Sequence, residues 1–289
     1  MTDDPFVAHR GLLFTVAYEM LGSAADADDV VQETWLRWAE VDRAVVRDPR
    51  AYLVRIVTRQ ALNRLRTLSR RREDYVGEWL PEPLLTSPDV AEDAELAESV
   101  SMAMLTVLET LGPTERAVLV LHEVFDVPYE EIAEAVGKSA AAVRQIAHRA
   151  REHVAARRPR MTVSRTEQQQ VVDRFLAALT GGDVQGLMDV LAPDVVVVAD
   201  SGGLAPAALR PVSGQWRVAN AFSRFAALAP RVEITTPLVN GTVGARIDPG
   251  GDFDTAITFV VEDGRITRMY AMRNPHKLGR LDEPADLQR

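Results

Sequence analysis

Arg144, Gln145, His148 and Arg149 fall on one face of a single predicted helix, and their chemistry suits the edges of DNA bases. Guanidinium and amide groups pair with purine edges in a major groove, and further arginines nearby attract phosphates. The opposite face carries Val143, Ile146, Ala147, Ala150 and Val154, an apolar stripe at helical period. Ser139 is placed as N-cap of this helix. Just before it, Gly137 supplies the left-handed residue that closes a shorter helix buried through Ile132, Ala133 and Val136. Two helices joined in this way form a helix-turn-helix, whose second helix normally lies in the major groove. An ordinary helical hairpin with a solvated basic face is the alternative.

A second basic stripe lies upstream. Pro49 opens a predicted helix that buries Leu53, Ile56, Val57, Ala61, Leu65 and Leu68. Tyr52, Arg55, Arg59, Asn63, Arg66 and Arg70 share the other side. Arginines that track a backbone, beside a ring on which a base can stack, suit single-stranded DNA. A solvated arginine face is the competing reading. The helix before it is predicted to bury Ala27, Val30, Val31, Thr34, Trp35 and Trp38, and to present Asp28, Asp29, Gln32, Glu33 and Arg37 outward.

The elements that position these faces are separated by charge. The chain of 289 residues has a formal net charge of -9, which is unexpected for a DNA binder. Arg43 to Arg72 nevertheless holds ten arginines and one acid, and Lys138 to Arg160 holds seven bases and one acid. Between them, Glu73 to Glu98 holds nine acids and no base. An acidic block between basic faces predicts weak DNA binding by the isolated chain, with a partner needed to expose the bases. There is no cysteine, so disulfides and thiolate metal sites are excluded. No cofactor or metal is expected. Neither a leader nor a run of membrane-spanning length is found, which predicts a soluble cytoplasmic protein with no membrane partner.

Tyr75 to Glu95 breaks the helical periodicity. Pro81, Pro83 and Pro88 predict an extended path, and WLPEPL (Trp79 to Leu84) is too apolar for a free linker. Helix is predicted again from about Ala91 to Leu111, then from Pro113. After about Thr166 the pattern becomes α+β. Two helices around Gly181-Gly182 precede a buried strand at Val195 to Val198 and a helix at Trp216 to Leu228. Strands follow at Val232 to Leu238, Val243 to Ile247, Phe253 to Val261 and Ile266 to Met272. Asp263-Gly264 supplies a hairpin turn.

DADDVVQETWLRW (Asp26 to Trp38) resembles region 2 of bacterial sigma factors of the extracytoplasmic-function group. The basic helix after it resembles that group's promoter-melting helix. Leu111 to Glu152 resembles region 4, which reads the −35 element. The C-terminal domain is similar to SnoaL-like folds, of the NTF2 and ketosteroid-isomerase type. Sigma factors with this extension carry a WLPEPL linker, a DGGGK-type loop and an NPxKL motif. WLPEPL is intact here and NPHKL stands at Asn274 to Leu278, but Asp200-Ser201-Gly202-Gly203-Leu204 lacks one glycine and the lysine.

The resemblance implies a multi-domain chain. Two all-α units, region 2 (1–73) and region 4 (95–160), flank a linker (74–94) and precede an α+β SnoaL-like domain (161–289). It implies binding to core RNA polymerase through Asp29, Gln32 and Glu33. Tyr52, Arg55, Arg59, Asn63 and Arg66 would hold the melted −10 strand, while Ser139, Arg144, Gln145, His148 and Arg149 would serve the −35 element of promoter DNA. Trp79, Pro81, Asp200, Gly202, Gly203, Asn274, Pro275 and Lys277 are expected to form a regulatory interdomain contact. Other readings stay open. One is a stand-alone DNA-binding regulator. Another is a C-terminal domain that takes a small ligand or catalyses, with Asp194, Asp200, Tyr270 or His276 as candidate groups.

Overall fold

The computed structural model describes residues 4–72, 74–158, 163–228, 232–248 and 254–289, with the side chains of 69–72 and 225–228 outside that description. The first helical group is α1 (Pro5–Ala8), α2 (Arg10–Leu21), α3 (Ala24–Ala39) and α4 (Pro49–Arg72). Gly22 closes α2 at φ 67°, and the Ser23 hydroxyl caps α3 by accepting from Asp26 N at 3.2 Å.

The second group is α5 (Pro88–Glu92), α6 (Ala94–Ser99), α7 (Met102–Leu108), α8 (Pro113–Glu123), α9 (Tyr129–Val136) and α10 (Ala140–Ala155). The continuous helix predicted from Ala91 to Leu111 is instead broken twice. Asp93 and Ser101 turn their side chains onto Leu96 N and Met104 N, capping new helices where the periodicity alone reads through. Pro88, predicted to lie in an extended stretch, opens α5 from its first turn. The α9–α10 turn is as the sequence predicts: Gly137 at φ 68°, the Ser139 cap, and Val143, Ile146, Ala147, Ala150 and Val154 buried.

The two groups share one core. α2 is buried from Gly11 to Leu21, because α3, α4 and α8 surround it. α4 packs against both α8 and α9. Trp35 departs from the prediction. It is 45% exposed, while Trp38, three residues on, takes the buried position.

The third unit comprises α11 (Arg165–Gly181), α12 (Val184–Val190), β1 (Leu191–Asp200), β2 (Val212–Ser213), α13 (Gln215–Leu228) and five further strands. These are β3 (Glu233–Thr235), β4 (Leu238–Val239), β5 (Thr242–Asp248), β6 (Thr255–Glu262) and β7 (Arg265–Met272). The single strand predicted over Val232 to Leu238 is split into β3 and β4 just before Pro237–Leu238, where Pro237 has no N–H for a ladder. The sheet runs β2-β1-β7-β6-β5-β3, with β4 on β5 and only the β1–β7 pair parallel.

Period-two alternation gives the sheet two buried faces. Ile257, Phe259 and Val261 pack inward against α11 and its neighbours. Ala256, Val260, Tyr270 and Met272 face outward, onto Leu80, Met102 and Ala103 of the helical half. The chain then returns across the junction. Ala285 N donates to Leu85 O at 2.9 Å, Gln288 N donates to Thr15 Oγ1 at 3.0 Å, and Leu287 joins the core of the helical units. Among the described residues no helix is long and apolar enough to cross a membrane.

Candidate nucleic-acid interface and interdomain junction

On α10 the expected base-reading residues Arg144, Gln145, His148 and Arg149 are all exposed. Arg144 is paired with Glu130 at 2.5 Å and lies over the Tyr129 ring, and His148 sits 3.6 Å from Glu152. These are solvent-side contacts that DNA can replace at little cost.

The face of α4 is different. Tyr52 is half-buried, with its ring against Trp38 and under the Arg55 guanidinium. Arg55 Nη1 meets Glu134 Oε2 at 3.0 Å, and Arg59 Nη2 donates to Glu134 O at 2.7 Å. Both arginines therefore grip the C-terminal end of α9, where free carbonyls and the helix dipole favour cations. Asn63 and Arg66 lie further along, exposed and bonded to each other at 3.4 Å. The Arg70 side chain lies outside the described residues.

The acidic face of α3 is partly engaged within its own bundle. Asp29 pairs with Arg64 at 2.9 Å, and Glu33 accepts from Gln60 at 2.7 Å. Gln32 is exposed and lines a cleft with Phe6, Arg10, Asp28, Val31 and Trp35.

The residues expected at the interdomain contact come together around Asp200. Its Oδ1 accepts from Tyr75 Oη at 2.6 Å and Gly202 N at 3.1 Å. Its Oδ2 accepts from Leu80 N and from Lys277 Nζ, each at 2.8 Å. Lys277 also donates to Leu80 O at 2.7 Å and lies 4.1 Å from the Trp79 ring centroid. Asn274 Nδ2 donates to Tyr75 Oη at 2.7 Å, and Pro275 starts the 3-10 turn that aims Lys277 inward. Gly202 at φ 56° lies so close to Asn274 that a Cβ would sit 2.6 Å from its amide nitrogen. A Cβ on Gly203 would meet Val76 at 3.1 Å. Pro81 is buried beside Gly22. Lys277, the lysine of NPHKL, is thus the cation that meets the 200–204 loop.

Residues 6–71 match Sigma-70 region 2, residues 101–154 match Sigma-70 region 4, and residues 172–269 match the SnoaL-like domain. The ECF RNA polymerase sigma factor SigJ of Mycobacterium tuberculosis is 39% identical over 293 residues, spanning 94% of this chain and 91% of that relative. The chain belongs to the extracytoplasmic-function sigma factors. The crystal structure of the Mycobacterium tuberculosis SigJ protein superposes with a TM-score of 0.77 at 38% identity, covering 93% of this chain and 95% of the other. A probable ECF sigma factor of the same organism, SigI, is 34% identical over 215 residues, covering 70% of this chain and 74% of its own length.

Three polar contacts of this sigma factor, two at the junction and one in the helical core, escape sequence reasoning. Glu82, the acid of WLPEPL, accepts from Ala24 N and Ala25 N and so binds the N-terminus of α3. Asn240, fully buried at φ 52°, accepts from Leu84 N at 2.9 Å and donates to Tyr18 Oη at 2.7 Å and Val100 O at 2.8 Å. Asn240-Gly241 is legible only as a hairpin signal. The third is a buried pair within the helical core: Glu19 accepts from Ser99 Oγ at 2.7 Å, while Arg116 donates to Glu19 O and to Glu109. No local pattern distinguishes Glu19 or Arg116 from surface residues.

Burial pushes the Glu19 carboxyl up to about 7, against the opposing Ser99 hydrogen bond and Arg116 charge. Such a group stabilises the fold fully below its ordinary value of 4.5. The contribution fades as pH rises from there to about 7, because only the unfolded chain then gives up the proton. Glu19→Gln should remove that dependence. In thermal melts the variant should gain on the parent between about pH 5 and pH 7. A pH-independent offset between the two would show that Glu19 is charged in the fold.

Proposed function

We propose that this sigma factor binds core RNA polymerase through the α3 face around Asp29, Gln32 and Glu33 and directs it to promoters in the cytoplasm. Arg144, Gln145, His148 and Arg149, oriented by the Ser139 cap, read the −35 element. Tyr52, Arg55, Arg59, Asn63 and Arg66 hold the melted −10 strand. The linker (74–94) and the C-terminal domain (161–289) restrain the region 2 (1–73) and region 4 (95–160) units through Trp79, Pro81, Asp200, Gly202, Gly203, Asn274, Pro275 and Lys277.

One observation carries the regulatory reading. Arg55 and Arg59 are bonded to α9 while the α10 face is open. A guanidinium bonded to Glu134 and helix-end carbonyls has to give up those bonds before it serves a DNA strand. In this reading the arrangement holds two of the −10 residues back, and their release sets activity. A regulatory rather than catalytic C-terminal domain fits the candidate groups. Asp194 and His276 are exposed, Asp200 is consumed by the junction, and Tyr270 faces out of the cone.

Run-off transcription with core polymerase tests this by comparing the full chain with one ending near Arg160. Promoter output should change strongly while polymerase binding persists. Equal output from both would leave the C-terminal domain without a regulatory part. The −35 assignment has its own test. Arg144→Ala should cost about 1–3 kcal/mol and relax specificity at one base pair. Arg157→Ala, at the end of α10, should weaken all sequences alike. Equal loss of discrimination from both changes would refute the assignment.

A further inference from the structure

The interface between the two helical units buries a carboxyl that the polymerase and DNA contacts proposed above leave unused. Glu19 lies on α2 at 0% exposure, facing Ser99 at the end of α6 and Arg116 on α8. Both facing residues belong to the second helical group, so the carboxyl stays dry only while the two groups remain packed. In water both of its oxygens are hydrated. Here Oε2 meets no donor among the described residues.

The charge around Glu19 is balanced without it. Arg116 Nη1 meets the Glu109 carboxylate, while its Nε donates at 2.8 Å to the main-chain oxygen of Glu19. One guanidinium thus faces two acids and holds the side chain of one. The other titratable groups turned toward this point are Tyr18 on α2, whose hydroxyl donates to Glu82 O, and Glu82, whose carboxylate sits at the N-terminus of α3. Neither brings a cation. An ionised Glu19 would be a buried anion with no counter-charge of its own, and protonation removes that cost.

The Ser99 hydroxyl points to the same state. Its oxygen lies 2.7 Å from Glu19 Oε1 and 3.0 Å from Leu96 O. A hydroxyl has a single proton to donate. Both contacts are hydrogen bonds at once only when a neutral Glu19 donates to Ser99, which passes its own proton to Leu96 O. Burial raises the Glu19 carboxyl to about 7, in the same direction.

We propose that Glu19 is a proton-operated latch between the region 2 and region 4 units, neutral while they are packed and ionised once they part. Its effect on promoter output rests on the regulatory reading above, and the latch itself does not. Separation hydrates the carboxyl and returns it to its ordinary value of 4.5, so opening releases a proton. A group raised in the packed state favours that state fully below 4.5 and loses the preference as pH climbs toward about 7. Acid therefore holds the units together, and neutral pH lets them part.

A fluorescence-transfer pair attached through Ala39→Cys and Ala141→Cys reads the separation in the full chain. Both positions are exposed, one on each unit, and no native cysteine competes for the labels. Between about pH 5.5 and about pH 7.5 the open-to-closed ratio should rise roughly tenfold, with helicity by circular dichroism unchanged. Glu19→Gln keeps the shape of the neutral acid and should hold the low-pH transfer throughout. Glu82→Gln, at the other acid that burial raises here, should keep the response. Infrared difference spectra at about pH 6 should show a neutral-carboxyl band that is absent from Glu19→Gln. Four results each overturn the latch: constant transfer in the parent, a parent-like response in Glu19→Gln, a response lost in Glu82→Gln, or a missing carboxyl band. A fall in transfer that follows a loss of helicity also overturns it, since the chain then unfolds instead of opening. If the truncated chain transcribes like the full one while transfer still follows pH, the regulatory reading fails and the latch stands.

Discussion

Asp200→Asn should release the linker from the C-terminal domain and shift the chain toward the open arrangement. The substitution keeps shape and volume but turns one acceptor into a donor. Both carboxylate oxygens are fully engaged, by Tyr75, Gly202, Leu80 and Lys277. The amide then faces an N–H or an ammonium whichever way it turns. Lys277 is 9% exposed and Asp200 is 0% exposed, so the lysine would be left as a buried cation without its counter-charge. Breaking one side of such a pair costs about 3–5 kcal/mol. Since about 1.4 kcal/mol is a factor of ten, the held-to-released ratio should fall by at least a hundredfold.

Replacing both partners by apolar residues, Asp200→Leu with Lys277→Met, should recover only part of the loss, because the unpaired ammonium is gone while Leu80 N–H and Leu80 O are left without their partners. The Ala39–Ala141 fluorescence pair and run-off transcription both report the outcome. Transfer efficiency and promoter output that match the parent in Asp200→Asn would show that the pair does not hold the junction.

Asn240→Ala should loosen the junction at a different point. The side chain joins the linker at Leu84 N, region 2 at Tyr18 and the α6–α7 turn at Val100 O. Removing it strands a buried N–H and a carbonyl, at about 1–3 kcal/mol for each unsatisfied group. Tyr18 Oη still donates to Glu82 O at 2.6 Å, so its proton keeps a partner. Alanine also has to take a positive φ, at about 1–2 kcal/mol. Asn240→Gly removes that backbone penalty alone, and Asn240→Asp keeps the acceptor for Leu84 while placing a carboxylate against Val100 O. Hydrogen exchange at Leu84 N–H should quicken most in Asn240→Ala, less in the glycine variant, and detectably in Asn240→Asp. Parent-like protection in all three would mean that Asn240 only shapes its hairpin.

The elements were legible because their causes are local. Gly137 and Ser139 end and start helices through contacts within a few residues, and Asp263-Gly264 turns a hairpin in the same way. The apolar stripe of α10 follows from periodicity, and all five of its predicted residues are buried. The breaks between α5, α6 and α7 were not legible. Asp and Ser can cap a helix or sit on its surface, and the choice depends on what packs around them. Trp35 and Trp38 show the same limit. Both lie near the edge of one helical face, and the contact with Tyr52 and Asp4 takes Trp38 inward.

The sequence by itself determined two helical units with basic faces, an apolar proline-containing linker, and an α+β domain carrying NPHKL. Tertiary structure alone decided what those parts do to one another. The bonds of the junction join Tyr75 to Asp200, Leu80 to Lys277, and Tyr18 to Asn240, across 125, 197 and 222 residues of chain. Each partner is satisfied locally by many alternatives, including water, so nothing in its own segment selects the distant group. Selection comes from closure: once the outer sheet face buries Leu80, Met102 and Ala103, the polar groups beside them lose water and must pair with whatever the fold has brought alongside. Packing of α4 on α9 likewise decides that Arg55 and Arg59 bond Glu134, while Asn63 and Arg66 on the same helix stay exposed.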